Sequence, residues 1–451
     1  MRLSAAAGSR RGFVVVRVAI ATLGCKVNHY ESAGLEEEIK SRGFSIVPFR
    51  SEADIYIVNT CTVTGKTDYQ SRQLVRRANR INPEASIFVT GCYAQIAPEI
   101  FAALPGVNMV VGTGQKAAIP DLLSNEARKE TIINVGNVDD ERFLTCLSVT
   151  DFHGQTRAYL KIQDGCNAFC SYCIIPYARG RARSLPEDRV IERVRSLCQA
   201  GYREIILTGI HLGMYGHELS PEASLSGLLR RIEKETDVER LRISSTEPVE
   251  ITDGIIELMR ESSVLCRHLH IPLQSGDDRV LSAMNRNYDS RQFEKRIEKI
   301  LETIPDIGIG IDIIAGFPGE GEKEFENTRA FIEQLPIQYL HVFPYSKRPG
   351  TAAYSLSGHV PENIKGERAR ILRNIGREKR VSFSSRFIGK RLSVLVEGKR
   401  DRGSGLMKGF SDNYIPILIE EANQSMTNRI VEVEGTETFE EKLKGKIVSY
   451  E

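Results

Sequence analysis

The sequence reads as a multidomain α/β protein. A Rossmann-like parallel-sheet domain comes first, then a (β/α)6 partial TIM barrel, then a small antiparallel β-barrel. Three observations carry this reading. Short apolar runs alternate with amphipathic helical stretches over 14–135, as in a parallel sheet flanked by helices. After a stretch with little periodicity, the alternation resumes over 158–343 and supplies six strands. Beyond Lys390 the character changes to short strands separated by glycine turns. The expected domains are 14–135, 152–385 and 388–451, and 451 residues suit about two to three domains.

In the first domain, strands are expected at 14–23, 55–58, 87–90 and 107–111, with helices at 32–42, 67–81 and 98–104. Cys25, Cys61 and Cys92 each fall just past the end of one of the first three strands. The carboxyl edge of a parallel sheet is where such folds place their sites. A single cysteine there would be read as a buried core thiol. Three in equivalent positions, each beside Gly or Thr, point to a shared three-thiolate site for an iron–sulfur cluster, with zinc as the alternative. On the helix at 67–81, Arg72, Arg76 and Arg80 recur every four residues with Arg77 beside them. Such a stripe suits phosphate contacts or a merely solvated face.

Residues 136–154 read as a link between domains, with Cys146 structural. A strand at 158–162 then leads into Gly165-Cys166-Asn167-Ala168-Phe169-Cys170-Ser171-Tyr172-Cys173. Thiols spaced C-x3-C-x2-C can converge on a soft metal centre. In a [4Fe–4S] cluster three cysteines leave one iron free of protein, an open position for binding and activating a substrate. The loop follows the first barrel strand, on the face where such barrels gather catalytic groups.

The other barrel strands are expected at 204–207, 241–244, 269–273, 309–314 and 340–343, with helices at 186–201, 225–235, 251–260, 290–302 and 323–334. Strand-end segments on the same face include Thr208-Gly209-Ile210, Ser244-Ser245-Thr246-Glu247-Pro248, Pro272-Leu273-Gln274-Ser275-Gly276 and Ala315-Gly316-Phe317-Pro318-Gly319-Glu320. Their glycines allow backbone to approach a ligand, or simply close turns. Cys198 and Cys266 lack ligand spacing and are assigned to the core. Arg179, Arg181 and Arg183 alternate after the loop; if extended they face a polyanion, or else they pair with barrel carboxylates. A charged helix over 361–387 leads outward. Lys399, Arg400, Arg402 and Lys408 lie in the turns of the last domain, whose strands are expected at 392–397, 414–419, 430–434 and 446–450.

A net charge of +2 announces no nucleic-acid binder, so any such surface is local. No apolar run is long enough to span a membrane, and the basic leader 1–11 is expected to be a disordered tail or an over-extended start. Nine cysteines without a secretory signal point to a reducing, cytoplasmic setting and to thiols used as metal ligands.

At Cys166–Cys173 the sequence resembles the radical S-adenosylmethionine (SAM) superfamily, whose signature is C-x3-C-x-aromatic-C. The resemblance implies that Cys166, Cys170 and Cys173 ligate a cluster whose open iron is chelated by SAM, with Tyr172 beside the adenine. Reduction then cleaves SAM to methionine and a 5′-deoxyadenosyl radical. Gly316-Phe317-Pro318-Gly319-Glu320 looks like the superfamily's late-strand glycine motif, and Thr208, Gly209 and Gln274 are further SAM-pocket candidates. The domain order from Val18 onward resembles the methylthiotransferases. That likeness maps Cys25, Cys61 and Cys92 onto an auxiliary [4Fe–4S] cluster and the last segment onto a TRAM RNA-binding domain. One SAM methylates sulfur and a second makes the radical.

Thr22-Leu23-Gly24-Cys25-Lys26-Val27-Asn28 and Ile174-Ile175-Pro176-Tyr177-Ala178-Arg179-Gly180-Arg181 look most like the MtaB branch. That branch methylthiolates C2 of N6-threonylcarbamoyladenosine beside the anticodon, at tRNA position 37. His29 stands where Gln is expected. The implied partners are the tRNA anticodon stem-loop and an electron donor such as flavodoxin or ferredoxin, with no membrane. Two other readings remain: the same chemistry on isopentenyladenosine or a ribosomal protein, and a non-catalytic metal-containing RNA-binding protein.

Overall fold

The computed structural model describes residues 15–123, 130–144, 147–152 and 154–450, with backbone alone for Tyr450. The leader and Cys146 lie outside these residues. In the first domain six parallel strands run in the order Ser45–Val47, Arg17–Thr22, Ile55–Thr60, Ser86–Gly91, Val107–Val111, Ile132–Asn134. The two outer strands have three residues each, too short to leave a pattern in the sequence. Ile55–Thr60 is buried throughout, which matches its unbroken apolar start. The strand order reverses between Arg17–Thr22 and Ile55–Thr60. Doubly wound sheets bind ligands at such a reversal, outside the carboxyl ends. Cys25 and Cys61 follow these two strands.

Two helices start earlier than their apolar pattern. Lys26–Ser41 begins directly after Cys25, its N-cap, so no capping Ser, Thr, Asp or Asn marks the start. Gly65–Ile81 is opened by a capping box in which Thr64 accepts from Thr67 N–H and Thr67 answers Thr64 N–H.

The middle domain has six parallel strands, Ala158–Lys161, Glu204–Thr208, Arg240–Ile243, His268–His270, Gly308–Ala315 and Tyr339–Pro344. They form two three-stranded sheets joined by a bridge between Leu241 and Leu265. No pairing closes the first strand onto the last among the described residues, so the barrel is partial. Helices Glu187–Gln199, Leu225–Glu235, Asp253–Glu261, Ser290–Thr303 and Glu322–Gln334 cover it, and one large apolar core includes Leu160, Leu207, Leu228, Ile297 and Ile311. Cys266 is buried and Cys198 half-buried.

Helix Glu362–Ser385 leads to a closed five-stranded barrel in the order Arg391–Arg400, Met407–Ser411, Pro416–Glu420, Lys442–Tyr450, Ile430–Phe439. All its pairs are antiparallel except Pro416–Glu420 with Lys442–Tyr450, which closes it in parallel. Met407–Ser411 escapes sequence reading because its central Gly409 looks like a turn. A Cβ there would sit 2.4 Å from Leu395 O, so the glycine permits close strand approach. Between the second and third strands Tyr414, at φ +68°, packs with its ring tilted against His268, centroids 4.4 Å apart, and 4.9 Å from the Arg242 guanidinium. Arg242 is buried, pairs with Glu204 at 2.8 Å, and donates to the carbonyls of Asp412 and Ser411 at 2.9 and 3.2 Å. These contacts dock the small barrel at the amino end of the Glu204–Thr208 strand, away from the cysteine loop.

Glu204→Ala leaves Arg242 buried without its carboxylate, an expected loss of about 3–5 kcal/mol. A urea titration checks this, and limited proteolysis is expected to cut more readily within the last domain; an unchanged midpoint contradicts it.

Candidate active site

Gly165 opens the cysteine loop at φ +74°, and a Cβ there would meet Arg181 O at 2.0 Å, so only glycine fits. The loop is pinned by Cys166 N–H donating to Gly180 O (3.0 Å), Cys173 N–H to Cys170 O (2.9 Å) and Ser171 N–H to Met284 O (3.0 Å). Phe169 adopts φ +46°, and its carbonyl accepts from the Asn285 amide at 3.2 Å. Cationic groups face two of the sulfurs. Arg286 Nη1 lies 3.1 Å from Cys170 Sγ and pairs with Glu247; His211 Nδ1 lies 3.2 Å from Cys166 Sγ, with its Nε2 on Glu250 at 2.6 Å. Burial opposes the charged imidazole, yet the bonds to Cys166 and Glu250 outweigh it and lift His211 to about 10.

The second cysteine site is built by glycines too. Gly24 (φ +101°) and Gly91 (φ +97°) precede Cys25 and Cys92. A Cβ on Gly24 would lie 2.8 Å from Cys61 Sγ, and one on Gly91 would lie 2.3 Å from Thr60 O. Cys61 and Cys92 are buried and Cys25 is exposed. Cys25 is the N-cap of the helix Lys26–Ser41 without a side-chain capping bond, and desolvation pushes its thiol up against the opposing pull of Arg179. Arg179 Nε donates to Cys92 Sγ at 3.2 Å.

A cavity of about 220 Å³ lies between the Cys166–Cys173 loop and the segment that follows Cys61; among the described residues Cys173 is the one cysteine that lines it. Tyr172 and Cys173 line one side, Val63 and Thr64, just past Cys61, another, and Gln274, Asp312 and Phe343 the rest. Buried Arg348 holds the wall by bonding Thr62 and Asp68 of the first domain. A tetrahedral zinc with bonds of about 2.3 Å holds its thiolates about 3.8 Å apart. Among the described residues, neither cysteine triad brings its sulfurs within 4.8 Å of one another; His270, Asp312 and His341 are the group that does so. The soft thiolate donors of each triad suit an iron–sulfur cluster by their chemistry.

The structure treats the other sequence-derived candidates unevenly. Tyr172 and Gln274 line the cavity, and Gln274 holds a strained φ of +69°. Thr208 is buried at its strand end, and Gly209 packs on Gln163. Gly316, Pro318 and Gly319 stand off the cavity wall. Glu320 folds back to accept Gly316 N–H at 2.8 Å and pairs with Arg368, while Lys365 covers Gly316.

Arg179 and Arg183 are corrected. Both are buried, at 1% and 8% exposure, and face carboxylates and backbone inside the protein rather than a polyanion. Arg181, Arg76, Arg80, Lys399 and Arg400 are exposed. Arg72 is half-buried against Tyr93 OH (2.7 Å), and Lys408 is half-buried beside Glu397 (3.6 Å). His211, Glu247, Glu250 and Arg286 were not singled out in the sequence. His211 directly follows Thr208-Gly209-Ile210, and Glu247 lies inside a named strand-end segment, so both were within one residue of notice.

Residues 160–332 match the Radical SAM superfamily, the class that the partial barrel and three-cysteine loop define, and residues 17–112 match the family described as Uncharacterized protein family UPF0004. Threonylcarbamoyladenosine tRNA methylthiotransferase MtaB of Bacillus subtilis (strain 168) is 41% identical over 420 residues, covering 92% of this chain and 93% of its own. MtaB of Aquifex aeolicus is 38% identical over 90% and 97%, and a tRNA-2-methylthio-N(6)-dimethylallyladenosine synthase of Clostridium tetani is 33% identical over 95% and 96%. The chain belongs to the radical SAM methylthiotransferases, and to their MtaB type. The radical SAM methyltransferase TsrM of Kitasatospora setae, solved with cobalamin and a [4Fe–4S] cluster, shares the fold at TM-score 0.57 and 14% identity over 76% of this chain and 77% of that one. No helix among the described residues is long and apolar enough to cross a membrane.

Burial pushes the Cys61 and Cys173 thiols up to about 12, so any metal taken up on these sulfurs would have to displace their protons. Thiols raised by folding stabilise the metal-free form below pH 9, the ordinary thiol value, and withdraw that support as pH climbs toward 12. Apparent affinity for iron is therefore expected to keep rising beyond pH 9. Anaerobic loading across a pH series checks this, and a plateau below pH 9 contradicts it.

Proposed function

We propose that the chain transfers a methylthio group to C2 of N6-L-threonylcarbamoyladenosine in the tRNA anticodon stem-loop, with two [4Fe–4S] clusters and SAM. The observation that carries this reading is the closeness of the two cysteine triads: Arg179, on the short helix after the Cys166–Cys173 loop, reaches Cys92 Sγ at 3.2 Å, and the segment just past Cys61 lines one cavity with Tyr172 and Cys173. Methylthiolation needs a carbon-activating centre and a sulfur-donating centre within reach of one substrate carbon. Cys166, Cys170 and Cys173 would hold the cluster that binds SAM, and Cys25, Cys61 and Cys92 the one that carries sulfur. When bound, these groups would supply hydrogen-abstracting radical chemistry at one triad and transferable sulfur at the other. The chain's own residues do the positioning. Tyr172, Gln274 and Asp312 shape the cavity, Arg348 and Asp68 hold its walls together, and Thr208, Gly209, Gly316, Pro318 and Gly319 shape the strand ends around it.

The units 14–135, 152–385 and 388–451 divide these tasks, with the last, TRAM-like, gripping RNA. Exposed Arg76, Arg80, Arg181, Lys399 and Arg400, with Arg72 and Lys408 at their edges, offer phosphate contacts. A cytoplasmic setting and a flavodoxin or ferredoxin donor complete the reading. The relatives named for threonylcarbamoyladenosine range from 32% to 41% identity and those named for dimethylallyladenosine from 33% to 34%, and the four highest identities belong to the former, which favours that substrate.

Mass spectrometry of tRNA nucleosides from a deletion strain tests the substrate. The methylthio-threonylcarbamoyl nucleoside is expected to vanish and to return with the intact gene but not with Cys166→Ala. An unchanged level defeats the proposal, and loss of the methylthio-isopentenyl nucleoside instead selects the other substrate. Arg76→Ala and Arg80→Ala are each expected to weaken tRNA binding and lower its salt slope by about 1. Filter binding across a salt series reads this, and an unchanged slope removes these arginines from the interface.

A further inference from the structure

Arg179 is the last residue of the short helix Ile175–Arg179 that follows the Cys166–Cys173 loop, yet its side chain reaches the other cysteine site. Its Nε donates to Cys92 Sγ at 3.2 Å, while Nη2 donates to Asn28 Oδ1 at 2.5 Å and Nη1 to Asp164 Oδ2 at 3.1 Å. Glu31 clamps the same guanidinium from its outer side. Lys116 pairs with Glu31, and Lys161 pairs with Glu31 at 2.7 Å and Asp164 at 2.6 Å. Arg183 donates to Arg179 O at 3.1 Å and leaves Nε and Nη1 without a partner. Glu141, at the rim, turns to Gln115.

Among the described residues, Glu31 and Asp164 are the acidic groups that pair with Lys116, Lys161 and Arg179, and Arg183 stands buried beside them, a local surplus of positive charge among these groups. Such a surplus is costly unless an anion meets it. Neutral thiols do not. A four-iron core on three thiolates does, and it gains a further negative charge on reduction. Positive charge and a hydrogen bond at a ligating sulfur both favour the reduced form, which raises the reduction potential.

We propose that Arg179 sets the reduction potential of the cluster on Cys25, Cys61 and Cys92 through a charge-assisted hydrogen bond to Cys92 Sγ. The inference rests on the two-cluster reading above. Arg179 acts through the thiolate and is a positioning residue. Glu31 opposes it by drawing off its charge, so the two residues shift the potential in opposite directions. Because Arg179 sits on the turn after the radical loop, its grip on Cys92 also ties the two cysteine sites mechanically.

The test uses the full chain carrying Cys166→Ala, Cys170→Ala and Cys173→Ala, loaded anaerobically with iron and sulfide so that only the second triad holds a cluster. Its potential is read by redox titration followed by electron paramagnetic resonance. Arg179→Gln is expected to lower the midpoint, Arg179→Lys to lower it less, and Glu31→Gln to raise it, at equal iron content. Coincident midpoints overturn the proposal. Should Arg179→Gln fail to fold or to take up iron, the opposed shifts of Arg179→Lys and Glu31→Gln decide, and their absence overturns it. A parent chain that holds no four-iron cluster on the second triad defeats the two-cluster reading itself, an outcome distinct from unmoved potentials.

Discussion

A guanidinium buried between two domains needs its donors answered, and Arg179 finds its partners on both sides of that boundary. Asn28, Glu31 and Cys92 come from the parallel-sheet domain, Asp164 from the edge of the barrel. Leaving any of these groups unpaired in an apolar interior costs several kcal/mol, so the two domains can dock in very few ways. Arg348, which bonds Thr62 and Asp68 on the far side of the cavity, imposes the same discipline a second time. The result is that strand ends from two independent sheets face one another. Each sheet supplies its sites where parallel sheets ordinarily do, beyond the carboxyl ends, and the buried charges make those two places one.

The two cysteine sites are built alike. In each, left-handed glycines let the backbone turn tightly, at Gly165 in one and at Gly24 and Gly91 in the other. In each, an arginine lies against one sulfur, Arg286 at Cys170 and Arg179 at Cys92. Differences in surroundings separate their tasks. The first also meets His211, Glu247 and Glu250 in a polar recess, whereas the second is embedded in lysine and arginine charge with Cys25 open to solvent. That contrast suits one centre that must bind a polar small molecule and one that must keep an anionic assembly in place.

Much of this was legible in the sequence, because cysteine position and strand periodicity are local signals. Cys25, Cys61 and Cys92 could be placed on strand ends without coordinates, and all six barrel strands left apolar runs. What stayed hidden was set by distance along the chain. Arg179 and Arg183 alternate like a surface stripe, and nothing nearby reveals that Glu31, 148 residues away, will meet Arg179. Strands of three residues, such as Ser45–Val47, carry too few side chains to show a period. The Gly316–Gly319 turn reads as a ligand cradle in the sequence; in the structure Glu320 accepts Gly316 N–H and Lys365 covers Gly316, while the space beside Gly319 is open. Helix Lys26–Ser41 hid its start because a cysteine stands where a polar cap usually does.

Two neighbouring cysteine triads amount to a claim about metal content, and that claim can be measured directly. After anaerobic reconstitution the intact chain is expected to hold about eight irons, as two four-iron clusters. Replacing either triad by alanine is expected to leave about four. About four irons in the intact chain, lost altogether when Cys166, Cys170 and Cys173 are replaced, would show that the strand-end cysteines hold no cluster and would contradict the two-centre arrangement.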